Sequence, residues 1–230
     1  MPREEDLKVY MGEIYNGTKN RSNKKYIVFD LDRTLGDFSE LYILWKGITL
    51  FINKKNKEDN QKIFNELLEI YPEFLRCGIL NILEFIKNKK KRNKLKGLYI
   101  YTNNKCSDNN WVHYIIKYFD YKLNYSNLFD KIICAFKINN KIIDINRHNK
   151  NINYLINCTM MPKNTEICFI DNTYYNEMID DNVYYIQPLS YNHNLNKNII
   201  INRFLKSYIG NSLINEMKNT NFKLFLRDWV

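Results

Sequence analysis

Five short runs of the chain are apolar at nearly every position: Lys25–Asp30 (KYIVFD), Gly97–Thr102 (GLYIYT), Lys131–Phe136 (KIICAF), Glu166–Asp171 (EICFID) and Val183–Gln187 (VYYIQ). Each is rich in Ile, Val, Tyr and Phe and none alternates cleanly, which is the pattern of strands covered by helices on both faces. Between them the period changes. Ile79–Lys90 places Ile79, Ile82, Leu83 and Ile86 on one helical stripe. Ser107–Phe119 places Trp111, Ile115 and Tyr118 or Phe119 at helical spacing behind Ser107 or Asp108 as N-cap. Strands alternating with helices predict an α/β fold, a doubly wound three-layer parallel sheet with right-handed crossovers. Ligands of such sheets bind beyond the carboxyl ends of the strands.

Two excursions interrupt the alternation. Residues 37–75 are longer than a crossover needs and hold one clear helix, Asn60–Tyr71, whereas Phe136–Asp144 carries Asn139-Asn140 between short apolar runs and reads as a small hairpin. After Gln187 a helix is expected over Asn198–Ile209, followed by an apolar segment, FKLFLRDWV, expected to close the core. There is no internal repeat and no Pro/Gly/Ser linker, so one domain is predicted. Residues 1–24 form an N-terminal extension, 25–190 the α/β domain with 37–75 as a small helical insertion, and 191–230 a helical tail packed on the core.

Composition narrows the function classes. The 230 residues, 45% of them hydrophobic, suffice for one well-packed core. A formal charge of +10 suits a nucleic-acid or acidic partner. However, Lys, Asn, Ile and Tyr dominate along the whole length, as AT-rich coding produces, so the charge assigns no such partner by itself. The densest basic run, Lys87–Lys96 (KNKKKRNKLK), reads as a solvated turn between a helix and a strand, with a docking patch as the alternative. Five scattered cysteines lack metal or redox spacing, and Cys134 and Cys168 fall inside apolar strands. That speaks against a disulfide framework or zinc site and for a reducing, intracellular compartment. No stretch approaches the roughly 20 apolar residues that span a bilayer, so no membrane partner is expected. The acidic start MPREEDLKVY is not a secretory signal. His113, His148 and His193 show no ligand spacing.

The chemistry lies at the strand ends. The first run ends in Asp30, with Asp32 and Thr34 beyond it; the second ends in Thr102 and Asn103; the fourth ends in Asp171 and Asn172. Parallel strands bring these ends to one edge. Two carboxylates about 4 Å apart repel by about 4 kcal/mol at an effective dielectric near 20. Gathering three therefore calls for a cation, and hard oxygen ligands select Mg²⁺, which completes its shell with water and phosphate oxygens.

A D-x-D-x-T after an apolar strand, a strand-terminal threonine, a lysine, and a strand ending in Asp-Asn resemble the haloacid dehalogenase (HAD) superfamily of phosphohydrolases. The resemblance runs from about Lys24 to Gln187. It implies that Asp30 attacks phosphorus and carries an aspartyl-phosphate, and that Asp32 serves as general acid and base. Its carbonyl also faces the metal. Thr102 and the amide of Asn103 then hold phosphoryl oxygens, and Asp171 and Asn172 complete the Mg²⁺ site. The lysine is expected at or near a helix start. Lys150 suits best, because Ile152, Leu155 and Ile156 then form the buried stripe, while Lys137 and Lys141 compete from the hairpin.

The Asp-Asn ending of ICFIDN and the lead-in FLRCGILNILEFI are also similar to the small phosphatases of the RNA polymerase II C-terminal domain. Those enzymes carry Glu where this chain has Arg33, and Pro where it has Cys77. Neither excursion has the size of a full cap domain, which suits a large substrate that brings its own surface. The resemblance implies a Mg²⁺-dependent phosphomonoester hydrolase acting on a phosphoprotein or other large substrate. The alternatives are a nucleotide or polynucleotide-end phosphatase and a non-catalytic binding module of the same fold.

Overall fold

A computed structural model describes residues 7–12, 25–51, 57–105, 111–135, 137–138, 141–142, 149–162 and 165–217. Eight strands form one sheet: β1 (Leu7–Met11), β2 (Lys25–Phe29), β3 (Gly97–Lys105), β4 (Lys131–Ala135), β5 (Lys137–Ile138), β6 (Lys141–Ile142), β7 (Glu166–Ile170) and β8 (Val183–Pro188). Their spatial order is β1-β8-β7-β2-β3-β4-β5-β6. The five strands from β8 to β4 run parallel, and β1, β5 and β6 extend the sheet antiparallel at its two ends. The chain winds outward from β2 through β3 to β4, then returns to β2's other side for β7 and β8. The winding reverses between β2 and β7, the place where an open α/β sheet leaves a crevice.

The helices are α1 (Ser39–Phe51), α2 (Lys57–Ile70), α3 (Ile79–Lys91), α4 (Trp111–Lys122), α5 (Ile152–Thr159), α6 (Lys197–Lys206) and α7 (Tyr208–Met217). Alternation along the strands feeds two separate cores. Phe29, Leu98, Ile100 and Ile132 face a layer built from α1, α2, α3, α4 and α6. Val28, Tyr99, Tyr101, Ile133 and Phe169 face α5 through Ile152 and Leu155. Both faces of the central strands are therefore dry, which is why their sequences read as continuous apolar runs. Each fully buried Leu, Ile or Phe contributes about 1.5–3 kcal/mol.

Several expectations shift. β1 lies in the segment read as an extension, yet it pairs with β8 from Leu7–Pro188 to Met11–Tyr184. The insertion holds a second helix, α1, which buries Leu41, Leu44, Trp45 and Ile48. With α2 it joins the main core. In α3 the buried apolar residues are Ile79, Leu83 and Ile86; Ile82 faces outward at 47% exposure. The expected C-terminal helix breaks at Ser207, where extended backbone ends α6 and the Ser207 hydroxyl accepts from the Gly210 amide (3.0 Å) as a fresh N-cap. Cys134, expected as a packing thiol, is buried and disulfide-bonded. Cys168 keeps its thiol, whose pKa burial pushes up to about 12. The proposed caps Ser107 and Asp108, His148 and the FKLFLRDWV segment lie outside the described residues.

Candidate active site

β2 hands over to the site in a tight loop. Asp30 still holds the ladder, donating its amide to Ile170 O (2.8 Å), and the chain then turns so that Asp32 bridges Gly36. Arg33 takes a left-handed conformation (φ 59°), with its amide on Gly36 O at 2.6 Å. Gly36 is needed there because a Cβ would stand 2.3 Å from Phe74 O. Arg76 fixes the loop from outside, with Nε donating to Thr34 O and Nη2 to Arg33 O and Leu189 O, each at 2.6 Å. Its guanidinium also lies over the Tyr191 ring, 5.4 Å from the centroid. The loop carrying Asp32 is thus tied to the end of β8.

At the centre is Lys150. Asn151 caps α5, its side chain accepting from Tyr154 N at 2.8 Å, and this sets Lys150 immediately before the helix. Its ammonium, only 1% exposed, donates to Asp30 Oδ1 (2.5 Å) and Asp171 Oδ2 (2.5 Å), residues 120 and 21 positions away. The rings of Tyr175, Tyr101 and Phe169 surround it, with centroids at 5.4, 5.7 and 6.0 Å. Burial opposes its charge, but Asp30 and Asp171 more than offset this and raise its pKa. The side chains of Lys137 and Lys141 lie outside the described set.

The other strand ends close around this pair. Thr34 Oγ1 accepts from the Asn172 amide (3.1 Å) and faces Asp30 Oδ2 (3.2 Å) and Asn172 Oδ1 (2.9 Å). Asp171 Oδ1 accepts from Thr173 N (2.8 Å). Thr102 is buried within β3, which runs three residues past the end expected for it. Asn104 donates through its side chain to Asp32 Oδ2 and to Thr102 Oγ1 (3.3 Å). Asp171 keeps 1% of its side chain exposed and Asp30 10%, so Asp30 is the more open of the two carboxylates bonded to Lys150.

All seven expected residues therefore come to one edge: Asp30, Asp32, Thr102, Asn103, Lys150, Asp171 and Asn172. The sequence reading overlooked Asn104, which two-residue alternation puts on the same strand face as Thr102. Tyr174 stacks on Tyr185 (6.1 Å, 5°), whereas the Tyr175 hydroxyl accepts from Asn103 Nδ2 (3.1 Å) beside Lys150. Arg76 had no local signal, because its partners are carbonyls distant in sequence.

Three carboxylates, those of Asp30, Asp32 and Asp171, meet one ammonium, leaving two formal negative charges uncompensated. Burial first and Asp30 second raise the Asp32 pKa to about 7, and the same two causes raise Asp171 to about 7. The donors are hard oxygens throughout, a set that fits Mg²⁺ in charge and chemistry. Asp30 and Asp171 would serve through carboxylates, Asp32 through its carbonyl and Asn172 through its amide oxygen. The Asp32 carboxylate is engaged by Asn104 instead.

Among the described residues, Asp37, Glu40 and His193 alone bring three acidic or imidazole ligand atoms within 4.8 Å of one another. Hydrogen bonding links two members of that cluster. Leu195 N donates to His193 Nδ1 (3.1 Å), which puts the proton on Nε2, where it donates to Glu40 Oε2 (2.9 Å). The imidazole also packs edge-on to Phe74 (4.8 Å).

No family model matches the chain, and neither a curated protein nor a solved structure does. The functional reading therefore stands on the geometry of this edge. No described helix is long and apolar enough to cross a membrane.

Proposed function

We propose that the chain is a Mg²⁺-dependent phosphomonoester hydrolase of the HAD kind, working through an aspartyl-phosphate on a phosphoprotein or other large substrate. One observation carries the reading: the buried Lys150 ammonium joins Asp30 and Asp171, two strand-end carboxylates from distant parts of the chain, 2.5 Å from each. A buried charge cluster is costly to fold around, and its place at the sheet's crevice points to chemistry.

The Asp30 carboxylate, the most open of the charged groups bonded to Lys150, attacks phosphorus as the bond to the leaving oxygen breaks. Asp32 enters that step protonated, as a pKa near 7 permits, and gives its proton to the leaving oxygen. Water then attacks the aspartyl-phosphate, Asp32 takes the water's proton, and inorganic phosphate leaves Asp30 free again. Thr102 and the amide of Asn103 hold phosphoryl oxygens, and Lys150 offsets charge on them. Bound Mg²⁺ would neutralise the remaining negative charge of the acids and the phosphoryl group. α1 and α2 are built into the core, so neither serves as a separate cap over the site.

The test is hydrolysis of an aryl phosphate with Mg²⁺ or with EDTA, by the natural chain and by Asp30→Asn. Metal-dependent turnover that vanishes in the variant is expected. Equal turnover by both proteins would sink the assignment of Asp30. A phosphopeptide and 5′-phosphorylated oligonucleotide panel then ranks substrate classes.

A further inference from the structure

The sheet's other edge carries the basic run. Two of its lysines are engaged internally: Lys87 with Glu84 (2.6 Å) and Lys90 with Asp130 (2.7 Å). Lys91, Arg92, Lys94 and Lys96 are exposed, with no carboxylate at ion-pair distance among the described residues. Beside them, where β2, β7 and β8 begin, is a cleft of about 440 Å³. Lys25, Lys89 and Lys94 line it with Tyr26, Ile27 and Tyr184. Glu166 is the acid among its lining residues; it is 3% exposed, with Oε2 3.7 Å from Lys25 Nζ and Oε1 without a hydrogen-bond partner among the described residues.

We propose that this edge binds single-stranded nucleic acid, with phosphates on the cationic rim and an unstacked base in the cleft. Unpaired cations clustered on one turn attract a polyanion and release its counterions. Tyrosines in a concave wall suit a base, since stacking on aromatic rings holds bases without regard to sequence. Glu166 orients the ligand: its carboxylate repels phosphate from the interior and can accept from a base N–H. The site lies at the opposite ends of the strands from Asp30 and does not depend on the phosphatase reading.

Fluorescence anisotropy with a labelled 12-nucleotide single strand tests it on the full chain. Single strands contribute a slope of about −0.7 per phosphate neutralised, so four cations predict about 50-fold weaker binding between 50 and 200 mM salt. The triple variant Lys91→Glu, Arg92→Glu, Lys94→Glu changes exposed positions only and should flatten the slope to about −0.7 or less. An abasic strand of equal length should bind the natural chain roughly tenfold more weakly, because one stacked base is lost. Asp30→Asn should bind like the natural chain. Unchanged binding by the triple variant would overturn the site, and equal affinity for the abasic strand would overturn the base-binding cleft. Loss in Asp30→Asn would move the strand to the catalytic edge. Capture by anionic vesicles with no oligonucleotide binding would assign the patch to a membrane surface.

Discussion

Replacing Lys150 by Met isolates the electrostatics of the site. The side chain is 1% exposed and touches two carboxylates at 2.5 Å, so Met fills a similar volume while the acids lose their ammonium. Removing one partner of a buried charge pair costs about 3–5 kcal/mol, because the other charge is left uncompensated. For a chain of this length that corresponds to a fall in Tm on the order of 10 °C. The pH dependence has a definite sign. Asp171 has a pKa raised to about 7 by burial and Asp30, with Lys150 pulling it down. A raised folded-state pKa stabilises the protein while the group is protonated, and that stability is lost as pH rises through the folded value. Without Lys150 the pKa rises further, so the variant's deficit should be largest near pH 8 and less than half as large at pH 5.5. Calorimetry in EDTA at both pH values, with the exposed Lys94→Met as control, measures this. A deficit below about 1 kcal/mol, or one equal at the two pH values, would refute the electrostatic reasoning.

Three further outcomes follow from the same geometry. With an alkyl phosphate, which needs a protonated leaving oxygen, kcat/KM should decline above pH 7 as Asp32 ionises, and Asp32→Asn should lower it by about 10²–10⁴-fold. Arg76→Met removes hydrogen bonds to three loop carbonyls and should cost about 1.5–3 kcal/mol in urea unfolding; a loss under about 0.5 kcal/mol would deny Arg76 its bracing role. Gly36→Ala drives a methyl toward Phe74 O and should destabilise by about 1–3 kcal/mol on the same assay, with an unchanged midpoint contradicting the close approach.

The five parallel strands were readable because both their faces are dry, which writes an unbroken apolar run into each. Asp30, Asp32, Thr102 and Asp171 were readable for a related reason: a polar residue ending such a run falls at the sheet's edge. Lys150 followed from the apolar stripe of α5, which fixed where that helix begins. Other features left weaker traces. Helix α1, SELYILWKGITLF, buries Leu41, Leu44, Trp45 and Ile48 but also carries apolar Tyr42, Ile43 and Leu50 on its exposed side, which blurs its amphipathic period. β1 alternates Leu7, Val9 and Met11 outward with Tyr10 inward, and five residues at a sheet end make a short signal. The break at Ser207 follows from one hydroxyl competing for backbone amides, which hydrophobic spacing does not register.

The pairing of β1 with β8 changes where this molecule can safely be cut. A fragment starting at Lys25, the boundary that residue patterns suggest, would strip the outermost ribbon and leave the backbone of Val183–Pro188 open along its length. Bare strand margins recruit other chains, so such a fragment would tend to self-associate even with its catalytic edge intact.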